Sequence, residues 1–133
     1  MTFEDGKEIT LELAPVDPRS MLQGDYVILR YDIAQVPELT NVNSGNRVYI
    51  LAKKDQDGVY QREKILTSID PNNYQLAEDE VLIAGKYNGY DGVILGIESY
   101  FVKEGTGLDL QRDAKHAKVR VAKNGNALLE TIY

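Results

Sequence analysis

Tyr26-Val27-Ile28-Leu29-Arg30-Tyr31-Asp32-Ile33-Ala34 is the stretch that decides the fold class. Val27, Leu29, Tyr31 and Ile33 fall on one side of a period-two alternation, and Tyr26, Ile28, Arg30 and Asp32 on the other. That is the pattern of a β-strand with something to pack on both faces, and one continuous strand over 26–34 is expected. The same period recurs outward from it. Upstream, Ile9, Leu11 and Leu13 alternate with Glu8, Thr10 and Glu12 until Pro15 ends the run. Between the two, Asp17-Pro18-Arg19-Ser20-Met21-Leu22 places a capping residue ahead of a proline, so a short helical turn is expected there. Downstream, a loop over 37–46 leads to alternating runs 47–53 and 59–69, joined by Asp55-Gln56-Asp57-Gly58, whose Asp-Gly pair suits a hairpin turn. Runs 81–87 and 92–102 flank Asn88-Gly89-Tyr90-Asp91 as a second hairpin, and residues 104–115 break the period as a short surface helix. Runs 117–121 and 127–133 around Asn124-Gly125 form a third hairpin on the strongest short-range signal. The sum is a mainly β chain, an antiparallel β-sandwich or partly open barrel of about eight strands with one or two short helices. Residues 1–133 are expected as a single β-rich domain, because each of two cores in so short a chain would bury too little surface.

Composition narrows the chemistry. Fifteen basic against twenty-one acidic residues give a net charge of −6, which disfavours a nucleic-acid backbone as partner. With no Cys, disulfides, thiolate zinc sites and cysteine nucleophiles are excluded, and the single His116, expected to face solvent, excludes any site needing two imidazoles. No metal site and no cofactor is expected. Asp55-Gln56-Asp57-Gly58 lacks the Gly at position six and the closing Glu of a calcium-binding loop. The glycine-rich stretches contain no Gly-Lys-Ser/Thr. No apolar run approaches the roughly 18 residues of a membrane span, and residues 1–7 lack the features of a signal peptide. The chain as given is therefore expected to be soluble, and either cytosolic or lacking an upstream segment.

Gly24-Asp25-Tyr26-Val27-Ile28-Leu29-Arg30-Tyr31 matches every fixed position of the motif that names the GDYXXLXY family, and the chain resembles that family on further blocks. Gly6-Lys7-Glu8 and Ala14-Pro15-Val16-Asp17-Pro18-Arg19 resemble the family's approach to the motif. Residues 96–107, Gly-Ile-Glu-Ser-Tyr-Phe-Val-Lys-Glu-Gly-Thr-Gly, resemble its second recurring block. The resemblance implies a bacterial protein of a family with no assigned biochemical activity, anchored in the membrane by one hydrophobic helix ahead of the position where this sequence begins. It further implies an extracytoplasmic domain.

Read physically, the motif is first a structural device. Gly24 allows a tight turn, Asp25 can bond backbone amides where the strand begins, and Tyr26, Leu29 and Tyr31 set register and packing. A functional reading groups Asp17, Arg19, Asp25 and Arg30 as a polar site in which the two arginines could hold a carboxylate or phosphate; mutual salt bridging is the plainer alternative. Glu98 or Glu104, with Asp25, would supply the candidate carboxylates of a hydrolase acting on an envelope glycan. Nine Tyr against two Phe and no Trp is unusual, and Tyr87, Tyr90 and Tyr100 gather around one hairpin as a candidate binding groove, with Tyr26 as a further aromatic contact. The leading expectation is a non-enzymatic domain that binds a protein partner or an envelope component, with the hydrolase as the alternative and no catalytic residue identified.

Overall fold

The period-two runs become strands, and the places where they stop define the architecture. The computed structural model describes residues 6–15, 22–23, 26–37, 39, 42–89, 92–101 and 114–133, apart from the side chains at 22, 23, 26 and 101. The strands are β1 (Lys7–Ala14), β2 (Leu22–Gln23), β3 (Tyr26–Ile28), β4 (Arg30–Tyr31), β5 (Arg47–Lys54), β6 (Tyr60–Leu66), β7 (Glu80–Asn88), β8 (Gly92–Ile94), β9 (Ser99–Phe101), β10 (His116–Val121) and β11 (Ala127–Ile132). One 3-10 turn, Asp32–Ala34, follows β4. Two four-stranded sheets, ordered β11-β10-β1-β4 and β6-β5-β7-β8, curl around a shared core, and a three-stranded sheet β2-β3-β9 joins them. Every paired strand is antiparallel. The mainly β, antiparallel expectation is met.

The core follows from the alternation. Ile9 opposes Val119 and Leu11 opposes Ala117 in the first sheet, while Ile50 opposes Ile83 and Ala52 opposes Val81 in the other. All eight are buried, and each large aliphatic contributes about 1.5–3 kcal/mol when removed from water. The near-continuous apolar runs 48–52 and 81–84 have a second reason. Tyr49, Leu51, Leu82 and Ala84 form a smaller cluster under Leu66, Ile69 and Tyr74, so β5 and β7 are covered on both faces. The tip of the β10–β11 hairpin also docks there, with the Ala84 amide donating to the Gly125 carbonyl at 2.8 Å. Lys7 ties β1 to the facing sheet: its ammonium bonds the Glu78 and Glu80 carbonyls and lies 5.7 Å from the Tyr60 ring centroid.

Three hairpins form where turn chemistry predicts them, and the β5–β6 turn shows why. The Asp55 carboxylate accepts the amides of Asp57 at 2.9 Å and Val59 at 3.0 Å and the Gln61 side-chain amide at 3.1 Å. These bonds hold the Asp55 carboxyl below its ordinary range.

Two long strands expected from the sequence are broken. The 26–34 run ends as β3 at Ile28, resumes as β4, and bends into the 3-10 turn, with β3 in the small sheet and β4 against β1. The 92–102 run likewise splits into β8 and β9 around residues 95–98. Alternation survives both breaks because it records which side chains face inward, and Val27, Leu29, Tyr31, Ile33, Val93, Leu95 and Ile97 all do. What it does not record is that the strand changes hydrogen-bonding partner. These two breaks, together with the short β2, raise the eight expected strands to the eleven seen among the described residues. Leu22 of the expected first helical turn lies in β2; the rest of that turn, and all but residues 114 and 115 of the expected 104–115 helix, lie outside the described residues. Among those residues no helix is long and apolar enough to cross a membrane.

Candidate functional site

The two recurring sequence blocks meet at one corner. β3 pairs with β9 so that Val27 opposes Tyr100 and Ile28 opposes Ser99. At the break between β3 and β4, the Leu29 amide donates to the Glu98 carbonyl at 2.7 Å. Two residues on, the buried Tyr31 hydroxyl donates to the Ile97 carbonyl at 2.6 Å. The Glu98 side chain closes the opposing turn, accepting the amides of Leu95 at 2.7 Å and Gly96 at 2.9 Å on its two carboxylate oxygens. Gly96 carries φ +89°, a conformation that L side chains rarely adopt. Burial, and secondarily the negative charge of Glu98, push the Tyr31 hydroxyl well above the ordinary tyrosine pKa. A neutral phenol in this position keeps the proton it donates to the Ile97 carbonyl, a bond that ties the two blocks together.

The remaining candidates separate. Tyr87 is buried at 3% exposure, and its hydroxyl accepts the Leu39 amide at 2.8 Å, so it faces the core and not an open groove. Tyr100 is half-buried against the same core. Arg30 is exposed and opposes Ala14 on β1. His116, expected to face solvent, is half-buried and stacks on Tyr133 with ring centroids 5.6 Å apart. Asp17, Arg19, Gly24, Asp25, Tyr90 and Glu104 lie outside the described residues, as does the side chain of Tyr26. Glu98 is thus placed without the carboxylates proposed to act with it. Among the described residues no group of three or more acidic or imidazole side chains could hold a metal ion.

Two surface hollows lie elsewhere. One, of about 300 Å³, lies beside the 3-10 turn and includes Asp32, Gln61 and Arg62. There the Arg62 guanidinium donates to the carbonyls of Ile33 at 3.3 Å and Gln35 at 3.0 Å, clamping the turn onto β6. The other, of about 390 Å³, opens between the start of β5 and the end of β6, where Asn46, Arg47, Thr67 and Ser68 surround the buried ring of Tyr49. Arg47 opposes Lys86 directly across the β5–β7 ladder, and both are exposed. Among the described residues neither has a carboxylate within ion-pair distance, whereas Lys118 and Arg120 on the other sheet share Glu8 at 3.7 and 3.3 Å. Sequence reading passes over this hollow, because only the register brings residues 47 and 86 together.

Neither the curated proteins nor the solved structures contain a match to this chain. A family model, described as GDYXXLXY protein, matches residues 1–132. Its naming motif and second block are the two segments that interlock at Leu29, Tyr31, Ile97 and Glu98, and the chain belongs to the GDYXXLXY family.

Proposed function

We propose that this chain is a non-enzymatic extracytoplasmic β domain of a membrane-anchored bacterial protein, and that it binds a protein partner or an envelope component. One observation carries the non-enzymatic part. Glu98, the placed member of the candidate carboxylate set, has both oxygens engaged by backbone amides within its own turn. A general acid or nucleophile needs an oxygen free to reach a substrate, whereas a register-setting carboxylate needs the bonds seen here. Family membership supports the anchored, extracytoplasmic placement, since members resemble proteins with a single hydrophobic helix ahead of this domain.

Two measurements test this reading. The gene with its native upstream sequence is expressed in a bacterial host, and the cells are fractionated and exposed to external protease after the outer barriers are opened. The expected result is a membrane-associated domain cleaved from the outside; a cytosolic, protected domain overturns the placement. In parallel, wild type and Glu98→Gln are incubated with purified cell-wall glycan and new reducing ends are counted. Neither protein should release any. Release by wild type that disappears in the variant overturns the non-enzymatic reading in favour of a hydrolase.

A further inference from the structure

We propose that the hollow between the start of β5 and the end of β6 is an oxyanion site, taking a phosphate or carboxylate group carried by the bound envelope component or partner. This rests on the binding reading above and names the chemistry of the contact. At about 390 Å³ the hollow is within the size range of small-ligand sites. Beside the apolar Val42, Tyr49 and Ile69, its lining residues include Arg47, Asn46, Thr67 and Ser68, whose side chains carry guanidinium, amide and hydroxyl donors. A guanidinium paired with hydroxyl and amide donors matches the lone-pair geometry of a planar carboxylate or a tetrahedral phosphate.

Electrostatics point the same way. Arg47 and Lys86 are like charges placed directly opposite one another, an arrangement that destabilises a sheet. In a chain with six excess negative charges, carboxylates for a compensating ion pair are plentiful in the sequence. None of the described ones is set within ion-pair distance of this pair. A bound anion would supply the compensation that none of the described carboxylates provides. The backbone adds a third indication. Ser68, which lines the hollow just after β6, has φ +55° and is the one non-glycine residue with positive φ among the described residues. Strained conformations of this kind gather at ligand-holding segments. The hollow beside the 3-10 turn lacks this character, because its arginine is already bonded to two carbonyls.

The test is a nitrogen-15 amide titration of the isolated chain with inorganic phosphate, glycerol 3-phosphate and glucuronate, with sodium chloride adjusted to constant ionic strength. Saturable shifts confined to residues 46–47 and 67–69 are expected. Arg47→Gln should weaken the response about ten-fold, and Lys86→Gln by a smaller factor. Lys54→Gln, exposed at the opposite end of β5, should leave it unchanged. Response to the two phosphates alone, or to glucuronate alone, supports the site and identifies which group the natural ligand carries. Overlay of the other amides confirms that each variant is folded. Absence of saturable shifts with all three probes, or equal shifts in Arg47→Gln and wild type, overturns the site. If it falls while the fractionation and glycan assays come out as expected, the binding reading stands and another face carries the contact. If those assays fail while the titration succeeds, the site stands without that reading.

Discussion

The corner and the hollow use polar groups in opposite ways. At the corner, Glu98 and Tyr31 direct their oxygens at backbone groups of neighbouring turns, and their bonds are satisfied within the protein. At the hollow, Arg47 stands opposite Lys86 of the adjoining β7, and neither has a described carboxylate partner. The described part of the segment that is most distinctive in sequence, Leu29 and Tyr31, is therefore engaged in holding the fold. The proposed oxyanion site lies at strands that carry no motif. A signature of fixed residues can mark a difficult piece of architecture as readily as a site.

Substitutions can break or sharpen this contrast. The largest loss is expected for Leu29→Ala, because Leu29 is 3% exposed and packs at the strand break. Denaturant unfolding should show a loss of about 2–5 kcal/mol, with Ile28→Ala, at a half-buried position, costing less. Equal, near-zero effects at both positions would mean that the corner does not depend on packing. Glu98→Ala comes next, at about 1–3 kcal/mol for two amides left to find other partners. Glu98→Gln keeps an acceptor oxygen and should lose only part of that. A variant as stable as wild type would return Glu98 to the list of functional candidates.

Tyr31→Phe should cost about 1–2 kcal/mol by stranding the Ile97 carbonyl, and it carries a pH signature. The folded-state pKa of Tyr31 lies above its ordinary value of 10.0, so the native state keeps the proton after the unfolded chain has lost it. Stability is then fully present below about pH 10 and falls as pH rises beyond it. The variant should show a shallower alkaline decline than wild type, and parallel declines would contradict the buried donor. The smallest effect belongs to the hollow. Without added anion, Lys86→Gln should leave stability within about 0.5 kcal/mol of wild type, on the stabilising side, because it relieves a like-charge pair. A clear loss would assign Lys86 a structural partner and narrow the contrast.

Legibility in the sequence followed the range of the interaction. The hairpins at Asp55, Asn88 and Asn124 were readable because turn chemistry is local, and the inward set from Val27 to Ile33 was readable because alternation reports burial. The break at Leu29 was not, since the partners that meet there, Leu29 and Glu98, lie 69 residues apart in sequence. Tyrosine counting suggested a groove at Tyr87, yet that ring fills the core and spends its hydroxyl on Leu39. A tyrosine's amphipathic character does not say which end the fold will use. The same limit hid Arg47 and Lys86, whose adjacency exists only once β5 and β7 are in register.

The bond from Tyr31 to Ile97 spans 66 residues, and that separation bears on the order of assembly. Strands β5 to β8 lie within that span and pair over shorter separations than the corner does, with β5 between β6 and β7. Closing the corner before they form would incur the entropy of a long, unstructured loop; once they have folded, the two blocks are brought near each other by structure already present. The corner should therefore close after the rate-limiting step. Destabilising changes at Leu29 or Tyr31 would then accelerate unfolding while leaving the refolding rate almost untouched. In stopped-flow chevrons the damage would appear on the unfolding arm. The family's signature would on that account be a clasp, governing how long the native state lasts more than how quickly it is reached.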